Sequence, residues 1–198
     1  MSPAQILERS YQSLKGWVVA GRFHAGQRLE AARLAEEMQV SITPIRDVLN
    51  RLAGEGLVHA IPGGGFYIPV PNEGDLRDLL EWNMIIAIHA ARGKRTAMSL
   101  HGSAPGNIAD RTARLFNFLA EQTANKELAL AVATINDKLH AMRQLDDRVV
   151  GETGPEFDGL EKALAGHEPA RLAQQIRRFH HRRRDRLPAY VRLLRTAP

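Results

Sequence analysis

The chain has 198 residues, 44% of them hydrophobic and 25% charged, with no cysteine. That length and balance suit one large or two small globular domains, and the lack of cysteine excludes disulfides and thiolate metal sites. A formal charge of +5 and a pI near 10.0 favour a polyanionic partner, while apolar runs too short for a leader or a membrane span point to a cytoplasmic chain that touches no membrane.

Ser2-Pro3 predicts the cap and first turn of a helix that carries Ile6, Tyr11, Leu14, Val18 and Val19 on its packing side. Ala31 to Met38 reads as a short amphipathic helix with Leu34, Ala35 and Met38 inward, and Gln39-Val40-Ser41 has the length of a helix-turn-helix connection. At Thr43-Pro44 a capping residue precedes a proline, so a second helix is expected to begin there and to be stopped by Gly54 and Gly56. Within it Ile45, Val48, Leu49 and Leu52 recur at helical spacing as a buried stripe, while Thr43, Arg46, Asn50 and Arg51 lie away from it. Leu57 to Ile61 and Phe66 to Ile68 are β-prone runs on either side of Pro62-Gly63-Gly64-Gly65, a hairpin whose tip can approach another backbone closely. The stretch reads as a winged helix-turn-helix occupying residues 1–70.

Pro69, Pro71, Asn72, Glu73 and Gly74 read as a short linker. Beyond it the pattern is helical: Leu76 to about Met98, Asn107 to about Thr123, Lys126 to about Val149, Glu156 to about Ala165, and Pro169 to about Arg195. An all-α bundle over residues 75–198 is expected. His89, His101, His140 and His167 are scattered and suit surface or capping roles, so no metalloenzyme is expected and the chain is read as a non-enzyme. The run Arg177 to Arg186, with His180 and His181 inside it, is the densest positive charge and reads as a solvated helix face, with contact to DNA backbone or to the first domain as the alternative.

The series Gly26-x-x-Leu29, Leu34-Ala35, Val40-Ser41-x-Thr43-Pro44-x-Arg46-x-x-Leu49-x-x-Leu52, Glu55-Gly56-Leu57-Val58 and Gly65 before a hydrophobic strand resembles the DNA-binding domain of the GntR superfamily of bacterial transcription regulators. The resemblance implies that Ser41, Thr43 and Arg46 open the recognition helix and that the glycine turn enters the minor groove. The DNA-contacting set is then Arg33, Ser41, Ile42, Thr43, Arg46, Asn50, Arg51, Gly64 and Gly65. Ile42 stands where the family often has arginine, and Ala32 where some members have a further arginine, with Arg33 one place on.

In the second half, Asp75-Leu76-x-Asp78-Leu79-x-Glu81, Leu119-Ala120-Glu121 followed by Asn125-x-x-Leu128, and Glu156 to Leu164 resemble the FCD, or FadR-like, branch, whose bundle dimerises and binds a small effector, often a carboxylate. Many members hold a divalent metal with one aspartate and three histidines. Those positions fall here on Thr112, Phe116, Phe157 and Phe179, so no metal and no cofactor are expected, and Asn83, Thr112, Phe116, Phe157 and Phe179 form the expected effector pocket, with Trp82 and Arg92 as further polar candidates. The resulting expectation is a mainly α protein: a sequence-specific, homodimeric DNA-binding transcription regulator, a repressor, with double-stranded DNA, a second copy and a small-molecule effector as partners. The second reading is an effectorless architectural or partner-binding dimer that still binds DNA.

Overall fold

The computed structural model describes residues 2–93 and 106–196. The expected extension of one helix to Met98, His101 and most of the break at 101–106 lie outside them. The chain divides into two compact units, one of residues 2–71 with 194–196, the other of residues 72–193. It is a winged helix-turn-helix followed in the chain by an all-α unit.

The first unit contains α1 (Pro3–Val19), β1 (Arg28–Leu29), α2 (Ala31–Met38), α3 (Ile42–Gly54), β2 (His59–Ile61) and β3 (Gly65–Tyr67). Ser2 caps α1 in a reciprocal box with Gln5. Helix α3 starts one position before Thr43: Ser41 is its N-cap and Pro44 its third residue. A proline there costs nothing, because the first-turn amides have no partner within the helix. At the other end Gly56, at φ +70°, lets its own amide reach Ala53 and that of Leu57 reach Leu52, which closes the helix with a left-handed cap. Leu14, Ile45, Val48, Leu49 and Leu52 are wholly buried between α1 and α3 with Leu34 and Ala35 of α2.

The sequence reading missed β1, a two-residue strand too short for any alternation to register. It pairs antiparallel with β3, which also pairs with β2, in the order β1-β3-β2. Leu29 and Phe66 face the core, which leaves Arg28, Tyr67 and His59 in a row on the opposite face. Leu57 and Val58, expected in the strand, are buried core residues ahead of it.

The second unit contains α4 (Glu73–Arg92), α5 (Ile108–Glu121), α6 (Lys126–Arg143), α7 (Asp146–Val149), α8 (Gly154–Ala165), α9 (Pro169–Arg184) and α10 (Leu187–Thr196), whose last residues belong to the first unit. Asn72 caps α4 in a box with Asp75, so Glu73 and Gly74 are helical rather than linker. Two expected helices are broken: Lys126–Val149 at Gln144-Leu145, and Pro169–Arg195 at Asp185-Arg186. The second break precedes Pro188, which has no amide to continue the ladder. Helix α5 packs along α6, and α4 packs against α9, α6 and α5.

Thr112, Phe116, Phe157 and Phe179 are all buried in this unit. Phe116 and Phe179 meet edge to face with centroids 5.7 Å apart, and both also touch the His180 ring. Phe157 instead lies under the Arg111 guanidinium, 4.3 Å from its centroid. Truncating the ring at Phe116, which is 1% exposed, should destabilise the bundle by about 3–5 kcal/mol. Denaturant unfolding of Phe116→Ala measures this, and a nearly neutral result would contradict the packing described.

Candidate nucleic-acid interface and bundle interior

Helix α3 turns its apolar stripe inward, so Ser41, Ile42, Thr43, Arg46, Asn50 and Arg51 are exposed. Ser41, Thr43, Arg46 and Asn50 make no side-chain hydrogen bond or ion pair among the described residues, and the Ser41 hydroxyl does not cap its own helix. Exposed Arg33, on α2, is equally uncommitted. Five donor-bearing side chains and a helix N-terminus without a side-chain cap thus have no side-chain bond among the described residues. Backbone amides and a positive dipole end at such a terminus suit phosphate oxygens.

Arg51 is different. Its guanidinium lies 3.4 Å over the Tyr11 ring, 3.3 Å from Glu8 and 3.6 Å from Glu55. Tyr11 donates to Glu55 at 2.7 Å and Lys15 to the other oxygen at 3.0 Å, and these contacts hold the Glu55 carboxyl below its usual range despite partial burial. Arg51 therefore fastens α3 to α1.

At the wing, a Cβ on Gly64 would stand 2.8 Å from Ile61 Cγ2, so no larger residue fits without displacement. Gly65 has φ +100°, a conformation side chains strain to adopt, and Arg28 Nε lies 3.6 Å from where its Cβ would be. The exposed Arg28 guanidinium thus rests over the wing tip. No sequence signal marked it, because its position depends on the pairing of β1 with β3.

The bundle interior holds a polar cluster that the sequence reading saw only through Asn83. Arg143 and Arg183 are both fully buried, as are Asn83, Asn136, Asp146 and His180. Trp82 and Arg92 of α4 are exposed and face away from it. His180 and Arg183, read as part of a solvated face, point inward instead, because positions 179, 180 and 183 fall on the side of α9 that packs. Arg183 donates to Asp146 at 2.7 and 2.8 Å and to Glu156 at 2.9 Å, and Tyr190 donates to the other Asp146 oxygen at 2.6 Å. Burial raises the Asp146 carboxyl, against the pull of Arg183.

Among the described residues Arg143 has no carboxylate within hydrogen-bonding reach. It donates to Asn136 Oδ1 at 2.7 Å and to Asn83 Oδ1 at 3.1 Å, and its burial pushes the guanidinium down to about 9. His180 Nδ1 is 2.7 Å from the Ile176 carbonyl, so Nδ1 carries the proton and Nε2 is a bare acceptor. Yet Nε2 is 2.9 Å from Asn83 Oδ1, and turning the amide over would put its NH2 against Arg143. Asn83 Nδ2 and Arg143 Nε meanwhile have no hydrogen-bond partner among the described residues. Donors outnumber acceptors here, whichever way Asn83 is set.

The metal implied by the branch resemblance does not fit these residues. Thr112 Oγ1 donates to the Ile108 carbonyl at 2.7 Å, and the three phenylalanines offer no lone pairs. His140 lies 3.8 Å from Asp110, with burial lowering its pKa, and no group of three metal-ligating side chains occurs among the described residues. A cleft of about 420 Å³ is lined by none of the five expected pocket residues and lies between the start of α5 and the stretch from Glu152 to Pro155 that leads into α8.

Burial and the nearby guanidinium of Arg143 push His180 down to about 3. A lowered histidine stays neutral in the fold while the unfolded chain takes up a proton near pH 6.5, so stability falls as pH drops from there toward 3. At pH 5 the loss relative to pH 7 should be about 2 kcal/mol. Denaturant unfolding at the two pH values should show that much less pH dependence in His180→Gln; an equal dependence would mean that His180 is charged in the fold.

Residues 7–68 match the bacterial regulatory proteins of the gntR family. The chain is 35% identical over 74 residues to the Nta operon transcriptional regulator of Aminobacter aminovorans, covering 37% of this chain and 35% of that protein. It is 30% identical over 87 residues to an uncharacterized HTH-type transcriptional regulator, BphR, of Paraburkholderia xenovorans, covering 44% and 36%. The chain spans about a third of the length of these two relatives. Two solved structures share the fold at low identity: a protein of Rhodococcus sp. RHA1 described as a GntR transcriptional regulator, 15% identical with TM-score 0.75 over 92% of this chain and 97% of that one, and McbR/YncC of E. coli, 16% identical with TM-score 0.69 over 96% and 99%. No described helix is long and apolar enough to cross a membrane. Residues 7–68 are therefore a winged helix-turn-helix domain of the gntR family of bacterial regulatory proteins, followed in the chain by an all-helical unit.

Proposed function

We propose that this DNA-binding regulator of the gntR type acts as a cytoplasmic homodimeric repressor and is not an enzyme. The observation that carries the reading is α3, on which exposed Ser41, Thr43, Arg46 and Asn50 make no side-chain bond among the described residues, beside a wing tip shaped by Gly64 and Gly65. The helix reads base edges in the major groove, with Arg46 as the principal donor and Ser41, Thr43 and Asn50 around it, Ile42 offering apolar contact, and Arg33 and Gly64-Gly65 approaching the backbone. Two copies read a palindrome, and the helical unit, which is consistent with the FCD branch, supplies the dimer contact and the response to a ligand.

The uneven donor count around Asn83 and Arg143 favours an effector that brings one small hydrogen-bond acceptor, held without metal between Asn83, Thr112 and the Phe116 and Phe179 rings, with Phe157 at the margin. Formate, acetate and pyruvate at millimolar concentration should raise the melting temperature of the chain but not of Arg143→Met. If none of a broad carboxylate panel does so, the effectorless dimer is the better reading.

Arg46→Ala should lose about 1–3 kcal/mol of discrimination between a duplex selected from a random library and a scrambled one of equal length. Anisotropy titration at fixed salt measures it; an unchanged ratio removes Arg46 from the interface. Arg51→Ala should leave that ratio intact and lower the melting temperature, since its partners are Tyr11, Glu8 and Glu55.

A further inference from the structure

Residues 1–71 carry seven Lys and Arg against six Asp and Glu, so the gntR-type unit is close to neutral. Arg177 to Arg186 holds six arginines and one aspartate, which equals the formal charge of the whole chain, +5. Protein that binds DNA draws much of its affinity and its encounter rate from cations set against phosphate, and here the cations are concentrated on α9.

The structure sorts those arginines. Arg183 is buried on Asp146 and Glu156, and half-buried Arg182 donates to the Val150 carbonyl and lies 3.4 Å from Glu156. Arg177, Arg178, Arg184 and Arg186 are exposed, as is His181. Among the described residues the one ion pair they make is Arg184 with its neighbour Asp185, at the long distance of 4.0 Å. Arg177, His181 and Arg184 stand at i, i+4 and i+7, on one face of α9, with Arg178 beside them. That row is about 10 Å long, the axial length of about three successive phosphates on one strand.

The face carries no apolar anchor: among the described residues the large exposed hydrophobic ones lie at Leu7, Ile42, Ile61, Val70, Trp82, Ile85 and Leu130, none of them on α9. A protein partner would need such an anchor, and so would shallow insertion into lipid. A uniform polyanion does not. We propose that the outer face of α9, built on Arg177, Arg178 and Arg184, is a second DNA-binding surface that engages the phosphate backbone of duplex DNA without reading sequence. The inference rests on the chain being a DNA binder through α3, and adds a contact from the helical unit.

The test uses the full chain and two duplexes of equal length, one selected from a random library by the unsubstituted protein and one scrambled, titrated by anisotropy between 50 and 200 mM salt. Arg177→Gln, Arg178→Gln and Arg184→Gln combined should weaken binding to both duplexes by the same factor and make the log affinity against log salt slope shallower by about two to three for each protomer that engages the duplex. The triple Arg→Lys chain should restore the slope, which separates charge from packing. An unchanged slope and affinity at an unchanged melting temperature would overturn the proposal, as would a loss confined to the selected duplex or a failure of the lysines to restore binding. Arg46→Ala runs beside it: if it leaves the selected-to-scrambled ratio intact, the reading of α3 fails whatever the α9 variants do.

Discussion

Two guanidinium groups wholly out of water govern the helical unit. A buried cation is tolerated only when it is neutralised and when its N–H groups are occupied, because the desolvation it has suffered is worth several kcal/mol. Arg183 meets both conditions: Asp146 and Glu156 take its charge, and Tyr190 completes Asp146. The arrangement explains why the chain breaks after α6 and forms the single turn α7, since that turn brings Asp146 to α9. Arg143 meets the conditions only in part. Its charge is offset across the cluster by Asp146, while its nearest contacts are amides that cannot accept from every donor present. The same interior therefore contains a charge-paired half, where Glu156 Oε1 alone is left without a hydrogen bond among the described residues, and a half around Arg143 where the unpaired groups are donors.

The two units divide their electrostatic labour in a similar way. The gntR-type unit, nearly neutral by count, spends several of its charges internally, with Glu8, Lys15, Arg51 and Glu55 gathered around Tyr11. The helical unit hides two arginines and exposes others along α9. Net charge alone would have suggested a basic DNA-binding domain attached to a neutral bundle, the reverse of this distribution.

Sequence patterning revealed the first unit well because its signals are local. The 3.6-residue stripe of Ile45, Val48, Leu49 and Leu52, the glycine at a left-handed cap and the glycine-rich turn each act within a few residues. Even there β1 escaped, for a two-residue strand exists only through its partner. In the bundle the helices were legible from periodicity, but their interruptions at Gln144-Leu145 and Asp185-Arg186 were not, since a buried salt bridge between α7 and α9 fixes the first. His180 and Arg183 were concealed by their neighbours: set in a run of arginines, they read as solvent-facing, and only the phase of α9 turns them inward. Of the phenylalanines, Phe116 and Phe179 share a contact that their spacing could not reveal, whereas Phe157 belongs to Arg111.

Helix α3 separates what holds it from what it presents. Its inward residues and Arg51 are tied to α1 through the core and the Tyr11 cluster, while the side chains of Ser41, Thr43, Arg46 and Asn50 make no hydrogen bond or ion pair among the described residues. Exchanging exposed residues of that kind leaves stability within about half a kcal/mol. The outer surface of α3 can therefore drift through many sequences with the domain intact at every step. Over generations, such a helix is free to change what it presents long before any residue beneath it has to change.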